Sequence, residues 1–138
     1  MSLQRRDYIR YRLSRAHNAV RVAELILHEG DDSLLPDAVN RLYYACFYAV
    51  VAILFSEGIT AARHTGVISL FGEHWTGPER FSQGMGRFLH RMFERRLEGD
   101  YGEEASFERP GVESWLSETK AFVERIEAYL QENAPSTQ

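Results

Sequence analysis

The sequence predicts an all-α fold, an antiparallel helical bundle of four long helices and one short helix, in a single domain spanning residues 1–138. Three observations favour this fold. Apolar residues recur at helical spacing through most of the chain. Glycine and proline separate the periodic segments, and no segment shows the alternation that is typical of a strand.

The first two predicted helices form the core of this bundle. The first covers residues 5–29, with one apolar face and a glycine stop at Gly30. The second runs from Pro36 to Gly58, and its residues 40–55 read Asn-Arg-Leu-Tyr-Tyr-Ala-Cys-Phe-Tyr-Ala-Val-Val-Ala-Ile-Leu-Phe. A helix that is apolar on nearly every side must be buried on nearly every side. We therefore expect it at the centre, and a homodimer to cover what one bundle leaves exposed.

The rest of the chain is predicted to add three helices. Their predicted bounds are 65–75, 85–98 and 112–132. Thr65 is the expected N-cap of the short helix, and Gly99 is the expected stop after residue 98. The intervening segments are predicted as a loop at 76–84, an acidic connector at 99–111 and a frayed tail at 133–138.

The charge of the chain is unevenly distributed. Residues 1–23 hold six arginines against the single acid Asp7, whereas residues 98–138 hold ten acids. Arginine binds phosphate bidentately and stacks on bases, so the basic face fits nucleic-acid contact; a solvated helix face gives the same pattern. The start of the chain lacks an apolar leader, and the apolar run is short for a membrane span, so we expect a cytoplasmic protein without membrane contact. Cys46, inside that run, is predicted to be a buried and inert thiol.

A polar cluster is predicted at one end of the bundle. Arg41 and Tyr44 share one face of the second helix, and burying an arginine is costly unless it meets an acceptor. On the fourth helix Arg96 projects toward the core, with Asp100 and Tyr101 just beyond. If these five residues meet, the paired arginines suit the phosphate of a nucleotide. The alternative is a purely structural network in which the groups satisfy one another.

Secondary candidates for this site are His64, Tyr48 and Arg95. His64 lies at the start of the third helix, where an anion can bind, but a surface or packing role is favoured for it. His90 and Glu94 have the spacing of a metal pair, yet a third ligand is missing. We therefore expect no metal and no cofactor.

Three blocks of the sequence resemble the prokaryotic HEPN-domain proteins. They are Asn-Arg-Leu-Tyr-Tyr-Ala-Cys-Phe-Tyr-Ala at 40–49, Arg-His-Thr-Gly-Val-Ile-Ser-Leu-Phe at 63–71, and Gly-Arg-Phe-Leu with Arg-Arg-Leu-Glu-Gly-Asp-Tyr-Gly within 86–102. The resemblance implies a helical bundle that is usually dimeric and is often encoded beside a minimal nucleotidyltransferase. It also implies a toxin–antitoxin or stress role, nucleotide binding and, in many members, metal-independent RNase activity.

The RNase members of that family carry an arginine, a polar residue and, a few residues on, a histidine. Here Asp100 stands where the histidine is expected. We therefore favour a module without strong catalysis that binds a nucleotide or RNA, pairs with a nucleotidyltransferase, or both. One alternative is an RNase in which Arg96 stabilises the scissile phosphate while Asp100 or His64 moves a proton. The other alternative is a purely structural interaction protein.

Overall fold

The computed structural model describes residues 2–61, 63–75, 81–102 and 107–133. These residues form α-helices and one short 3-10 turn, Asp32–Leu34, and contain no strand. The helices are α1 (Leu3–Glu29), α2 (Leu35–Ser56), α3 (His64–Trp75), α4 (Gln83–Tyr101) and α5 (Arg109–Glu132). The predicted all-α fold with four long helices and one short helix is confirmed.

Contacts between side chains show how the long helices run. Tyr8, near the start of α1, packs on Phe55, near the end of α2, with ring centroids 4.3 Å apart. Asn40, near the start of α2, donates a hydrogen bond of 3.2 Å to Asp100, near the end of α4. Both pairs of helices are therefore antiparallel, and the start of α2 lies beside the end of α4.

α2 is the central helix of the bundle, as predicted. It packs against α1, α3, α4 and α5. It is apolar along most of its length, and 12 of its 22 residues are buried. One strip remains half-buried, and its members follow helical spacing: Tyr44, Phe47, Tyr48, Val51 and Phe55. The bundle thus leaves one aromatic side of α2 within reach of a ligand or partner.

The burial of α2 also explains its apolar length and the state of the Cys46 thiol. Counted from Asp32 to Ser56, this segment is long and apolar enough to cross a membrane, but 61% of its most apolar window is covered by the rest of the protein. Such burial is typical of a core helix. Cys46 is completely buried, and burial raises the pKa of its thiol to about 12, which confirms the prediction of an inert side chain.

The predicted ends of α4 are wrong by one turn or less. The helix begins at Gln83 rather than at residue 85, and it continues through Gly99 to Tyr101. Gly99 does not stop the helix; a Cβ atom there would lie 3.2 Å from Cε2 of Phe107 and 3.5 Å from Cβ of Pro36. The glycine is therefore explained by close packing, and Gly102 is the C-cap.

The predicted connector at 99–111 is also partly helical. Residues 99–101 belong to α4, and α5 begins at Arg109. The guanidinium of Arg109 caps the C-terminal end of α1. It donates to the carbonyl oxygens of Leu27 at 2.6 Å and Gly30 at 3.1 Å, and it pairs with Asp32 at 3.0 Å. These contacts satisfy carbonyl groups that a helix end leaves without partners. Residues 76–80, 103–106 and 134–138, on which the remaining loop, connector and tail predictions fall, lie outside the described residues.

Gly99→Val is expected to destabilise the protein. The new side chain must displace Phe107 or Pro36, and overpacking of a filled site costs about 1–3 kcal/mol in the free energy of unfolding. Gly66→Val in α3 is the control, because a Cβ atom there has only Ala61 within 4 Å, at 3.8 Å. Urea denaturation followed by circular dichroism measures both. Equal losses in the two variants would contradict the close-packing explanation.

Candidate ligand site

The polar cluster forms where the start of α2 meets the end of α4. Arg96 donates from Nε to Asp100 at 2.9 Å, and the two side chains are 15% and 27% exposed. They are four residues apart, a spacing that aligns side chains on one helix face. The pair exists only because α4 continues through Gly99, the predicted stop.

Arg41 joins this pair through Asn40 rather than through a carboxylate. The Arg41 guanidinium donates to Oδ1 of Asn40 from Nε at 3.1 Å and from Nη2 at 2.9 Å. The amide of Asn40 in turn donates to Asp100 at 3.2 Å. The acceptor that Arg41 needs is therefore the amide oxygen of Asn40. A neighbouring amide completes the network because Asp100 is already paired with Arg96.

Tyr44 lies between the two arginines. Its ring centroid is 5.2 Å from Cζ of Arg41 and 5.4 Å from Cζ of Arg96, both within cation–π distance. We call Asn40, Arg41, Tyr44, Arg96 and Asp100 the arginine–tyrosine cluster. Two guanidinium groups face one carboxylate, so the cluster keeps a net positive charge.

His64, a secondary candidate from the sequence, is placed beside the cluster. Its imidazole lies 5.7 Å from the Tyr44 ring and 5.6 Å from the Tyr43 ring, and Arg96 contacts the same two rings. It also stacks on Phe47, with ring centroids 4.4 Å apart. The structure thus brings a histidine to the arginines from α3 instead of from the end of α4.

The protonation of His64 follows from its surroundings. Burial lowers the pKa of the imidazole, and the nearby Arg96 lowers it further, so the ring is neutral at pH 7. Burial likewise raises the pKa of the Tyr43 hydroxyl, which keeps its proton. Tyr43 is fully buried and its hydroxyl lies 2.7 Å from Nδ1 of His64, its one partner among the described residues.

We assign this hydrogen bond as donated by the hydroxyl of Tyr43. If Nδ1 of His64 carried the proton instead, the buried hydroxyl hydrogen would have no acceptor, which is costly. The hydrogen of the neutral imidazole therefore resides on Nε2. In this state His64 is a donor toward a ligand, and its lone pair is occupied by Tyr43.

Two predicted site residues, Tyr101 and Arg95, lie elsewhere. Tyr101 is 74% exposed and does not join the cluster. The guanidinium of Arg95 stacks 3.9 Å from the ring of Trp115, and burial lowers its pKa. Tyr48 does extend the cluster, since its ring centroid is 5.7 Å from that of Tyr44.

Asn40 and Tyr43 are the site residues that sequence reasoning missed. Asn40 stands at the head of the apolar run, next to Arg41, and a polar residue there is a usable signal. Tyr43 is hidden among similar aromatic residues, and only the position of α3 shows what its hydroxyl contacts.

The cluster keeps hydrogen-bond donors for an anion. Both terminal nitrogens of Arg96 and Nη1 of Arg41 donate to no described residue. Guanidinium donors of this kind bind phosphate oxygens, and half-exposed tyrosine rings stack on bases. Within the described ranges no group of three metal-ligating side chains occurs.

A separate groove of about 820 Å³ lies at the opposite end of α2. It is lined by both ends of the chain, including Ile9 and Leu13 of α1 and Tyr129 and Leu130 of α5. None of the residues in the arginine–tyrosine cluster lines it. The chemistry predicted from the sequence therefore does not belong to this cavity.

A known protein family matches most of this chain. The sequence pattern of the HEPN domain matches residues 9–129, which include all of the cluster. The chain belongs to the HEPN domain family. The resemblance that the three sequence blocks indicated is therefore confirmed.

Relatives of this HEPN domain come from bacteria and archaea. A "UPF0332 protein" of Thermotoga maritima is 34% identical over 129 residues, covering 94% of this chain and 96% of the relative. A protein of Methanocaldococcus jannaschii named "Putative toxin" is 31% identical over 102 residues, covering 74% and 75%. A "UPF0332 protein" of Gloeobacter violaceus is 33% identical over 90 residues, covering 65% and 69%.

The electrostatic effect of Arg96 on His64 is open to a direct test by NMR. In the wild-type HEPN domain the His64 pKa is expected below its ordinary value of about 6.5, because of burial and of Arg96. Replacing Arg96 with Met removes the positive charge, so the His64 pKa should rise. Arg91→Met, at an exposed position of α4, is the control and should leave it unchanged. A His64 pKa that is the same in Arg96→Met and wild type would contradict the geometry.

Proposed function

We propose that this HEPN protein is the toxin-type component of a toxin–antitoxin or stress system, and that it binds RNA or a nucleotide through the arginine–tyrosine cluster. The toxin assignment is supported by the HEPN pattern and by the relative named "Putative toxin". The binding assignment is supported by the chemistry of the cluster.

The single observation that carries the binding proposal is the position of the two guanidinium groups. Arg41 and Arg96 lie 5.2 and 5.4 Å from the same Tyr44 ring, with one carboxylate between them. Here donors are in excess at a half-exposed position beside stackable rings, and a phosphate with its base supplies what is lacking.

Binding is favoured over cleavage by the state of the two proton carriers that the sequence suggested. Cleavage through the RNA 2′-hydroxyl needs a base with a free lone pair and a pKa near neutrality. Asp100 already accepts hydrogen bonds from Arg96 and Asn40, and the lone pair of His64 accepts from Tyr43. We therefore propose a binding module in which His64 donates to the ligand from Nε2.

Two partners complete the proposal. A minimal nucleotidyltransferase is the proposed antitoxin-type partner, as the family resemblance implies. A second copy of the chain is the proposed homodimer partner, as the family resemblance also implies. Both are expected to act in the cytoplasm.

Replacing Arg41 is expected to weaken RNA binding. Arg41→Met keeps the aliphatic stem but removes a charged donor, and the loss of one phosphate contact should raise the Kd roughly tenfold at low salt. Fluorescence anisotropy with a labelled oligouridylate measures it, and circular dichroism checks that the variant is folded.

Arg91→Met is the matched control for this measurement, because it removes a positive charge from an exposed position on α4. If both variants bind RNA as tightly as the wild type, the cluster is not the ligand site. If both lose affinity equally, binding reflects overall charge, and the proposed site is again wrong.

The same protein should not cleave RNA rapidly in EDTA. In the wild type, the lone pair on Nδ1 of His64 accepts a hydrogen bond from Tyr43. Tyr43→Phe removes this hydroxyl and keeps the aromatic ring, so its rate of RNA cleavage tests whether a free Nδ1 matters. We expect little cleavage by the wild type, measured by gel electrophoresis of a labelled RNA. Rapid cleavage that is lost in His64→Gln would establish the RNase alternative instead.

A further inference from the structure

A second group of arginines and aromatic rings lies on α1 and α2, beyond the cluster. Arg12 of α1 is the centre of the group. Its Nε donates to the hydroxyl of Tyr8 at 3.0 Å, and its Cζ lies 5.2 Å from the Tyr8 ring and 5.8 Å from the rings of Tyr11 and Tyr48. Arg12 thus connects aromatic residues of two helices.

This group is continuous with the arginine–tyrosine cluster. Cζ of Arg15 lies 5.5 Å from the Tyr48 ring, and Tyr48 is 5.7 Å from Tyr44, the ring shared by Arg41 and Arg96. Tyr48 therefore lies next to arginines of α1 and next to Tyr44 of the cluster.

The group extends in the other direction to the end of α2. Tyr8 packs on Phe55 at 4.3 Å, and Cζ of Arg5 lies 5.6 Å from the Phe55 ring. We call this set the α1–α2 stripe; it consists of Arg5, Tyr8, Arg12, Arg15, Tyr48 and Phe55. From Arg41 to Phe55, α2 rises by roughly 20 Å at about 1.5 Å per residue.

The stripe is positive and its charges are not neutralised nearby. Arg5, Arg12 and Arg15 form no ion pair with any residue in the described ranges. The acid of this part of α1 is Asp7, which lies about 100° around the helix from Tyr8. Asp37 lies one turn before Arg41 on α2, outside the stripe. The stripe therefore offers guanidinium groups to an anion along its length.

We infer that the α1–α2 stripe is a binding track for single-stranded RNA that enters or leaves the arginine–tyrosine cluster. The inference rests on the proposed function and specifies its ligand as a strand of several nucleotides rather than a mononucleotide. At about 3.4 Å per stacked nucleotide, the cluster and the track together suit about six nucleotides, and fewer in an extended strand. Alternating arginines and half-exposed rings match a repeating phosphate and base.

The spacing and charge favour a single strand over other occupants. A duplex hides the faces of its bases, so the rings of Tyr8 and Tyr48 would have nothing to stack on. A second copy that used the same patch in a two-fold interface would place the stripe against itself and bring arginines together. A single strand supplies both the negative charge and the accessible bases.

The test measures how the Kd for RNA depends on the length of the RNA and on the arginine charges of the stripe. Fluorescence anisotropy measures the Kd of labelled diuridylate, octauridylate and a blunt RNA duplex. The double variant Arg12→Gln with Arg15→Gln is expected to weaken octauridylate binding about tenfold and to reduce the salt dependence of log Kd by about 1.4, the value for two phosphate contacts on a single strand. Diuridylate binding should not change.

The double variant Arg87→Gln with Arg91→Gln is the matched control, because it removes the same charge from exposed positions of α4. An equal loss of affinity in this control would overturn the track, since binding would then follow net charge. Tighter binding of the duplex than of octauridylate would also overturn it. So would a change from dimer to monomer in the Arg12/Arg15 variant, measured by sedimentation, because the stripe would then be a subunit interface.

The outcome also separates this inference from the proposed function. If Arg41→Met weakens both oligonucleotides and the Arg12/Arg15 variant weakens neither, the cluster binds RNA but the track does not exist. If octauridylate binding depends on Arg12 and Arg15 but not on Arg41 or Arg96, the track stands and the cluster is not the ligand site. If the wild type binds no RNA or nucleotide, both proposals fail.

Discussion

The structure depends on the burial of α2, a helix that carries an arginine and several tyrosines among its apolar residues. Four other helices surround it, and 12 of its 22 residues are buried. Burial of so much apolar surface stabilises the bundle, but the start of the helix then needs polar partners for Arg41 and for the hydroxyl of Tyr43. Asn40 accepts from Arg41 and donates to Asp100 of α4, and α3 supplies His64 for the hydroxyl of Tyr43. The position of the polar site is therefore a consequence of how the core is closed.

The last turn of α4 shows how closely packing and site geometry are linked. Gly99 allows Phe107 and Pro36 to approach the helix, and α4 continues through it to Tyr101. This continuation places Asp100 one turn after Arg96 and within reach of Asn40. A carboxylate that belonged to a flexible connector would not hold two partners at defined distances. A packing glycine thus determines where the single negative charge of the cluster lies.

Much of the fold was predictable from the sequence, because helical periodicity and the apolar run of α2 are local signals. The meeting of Arg41, Tyr44, Arg96 and Asp100 also followed from helix faces. The errors arose where the outcome depends on contacts between distant segments. Gly99 looked like a stop because its packing partners are distant in sequence, and Tyr101 and Arg95 were misplaced because the helix continues and Trp115 covers Arg95. The pairing of Tyr43 with His64 was hidden for the same reason.

We propose that excess guanidinium donors beside half-exposed tyrosine rings form a phosphate site, and that arginines of α1 extend this site along the α1–α2 stripe. The most direct measurement is a crystal structure of the protein soaked with an oligouridylate. The account predicts electron density for a phosphate within hydrogen-bond distance of the terminal nitrogens of Arg96 and Arg41, with a base against Tyr44 or Tyr48. A strand bound in the groove between α1 and α5, with the arginine–tyrosine cluster unoccupied, would contradict it.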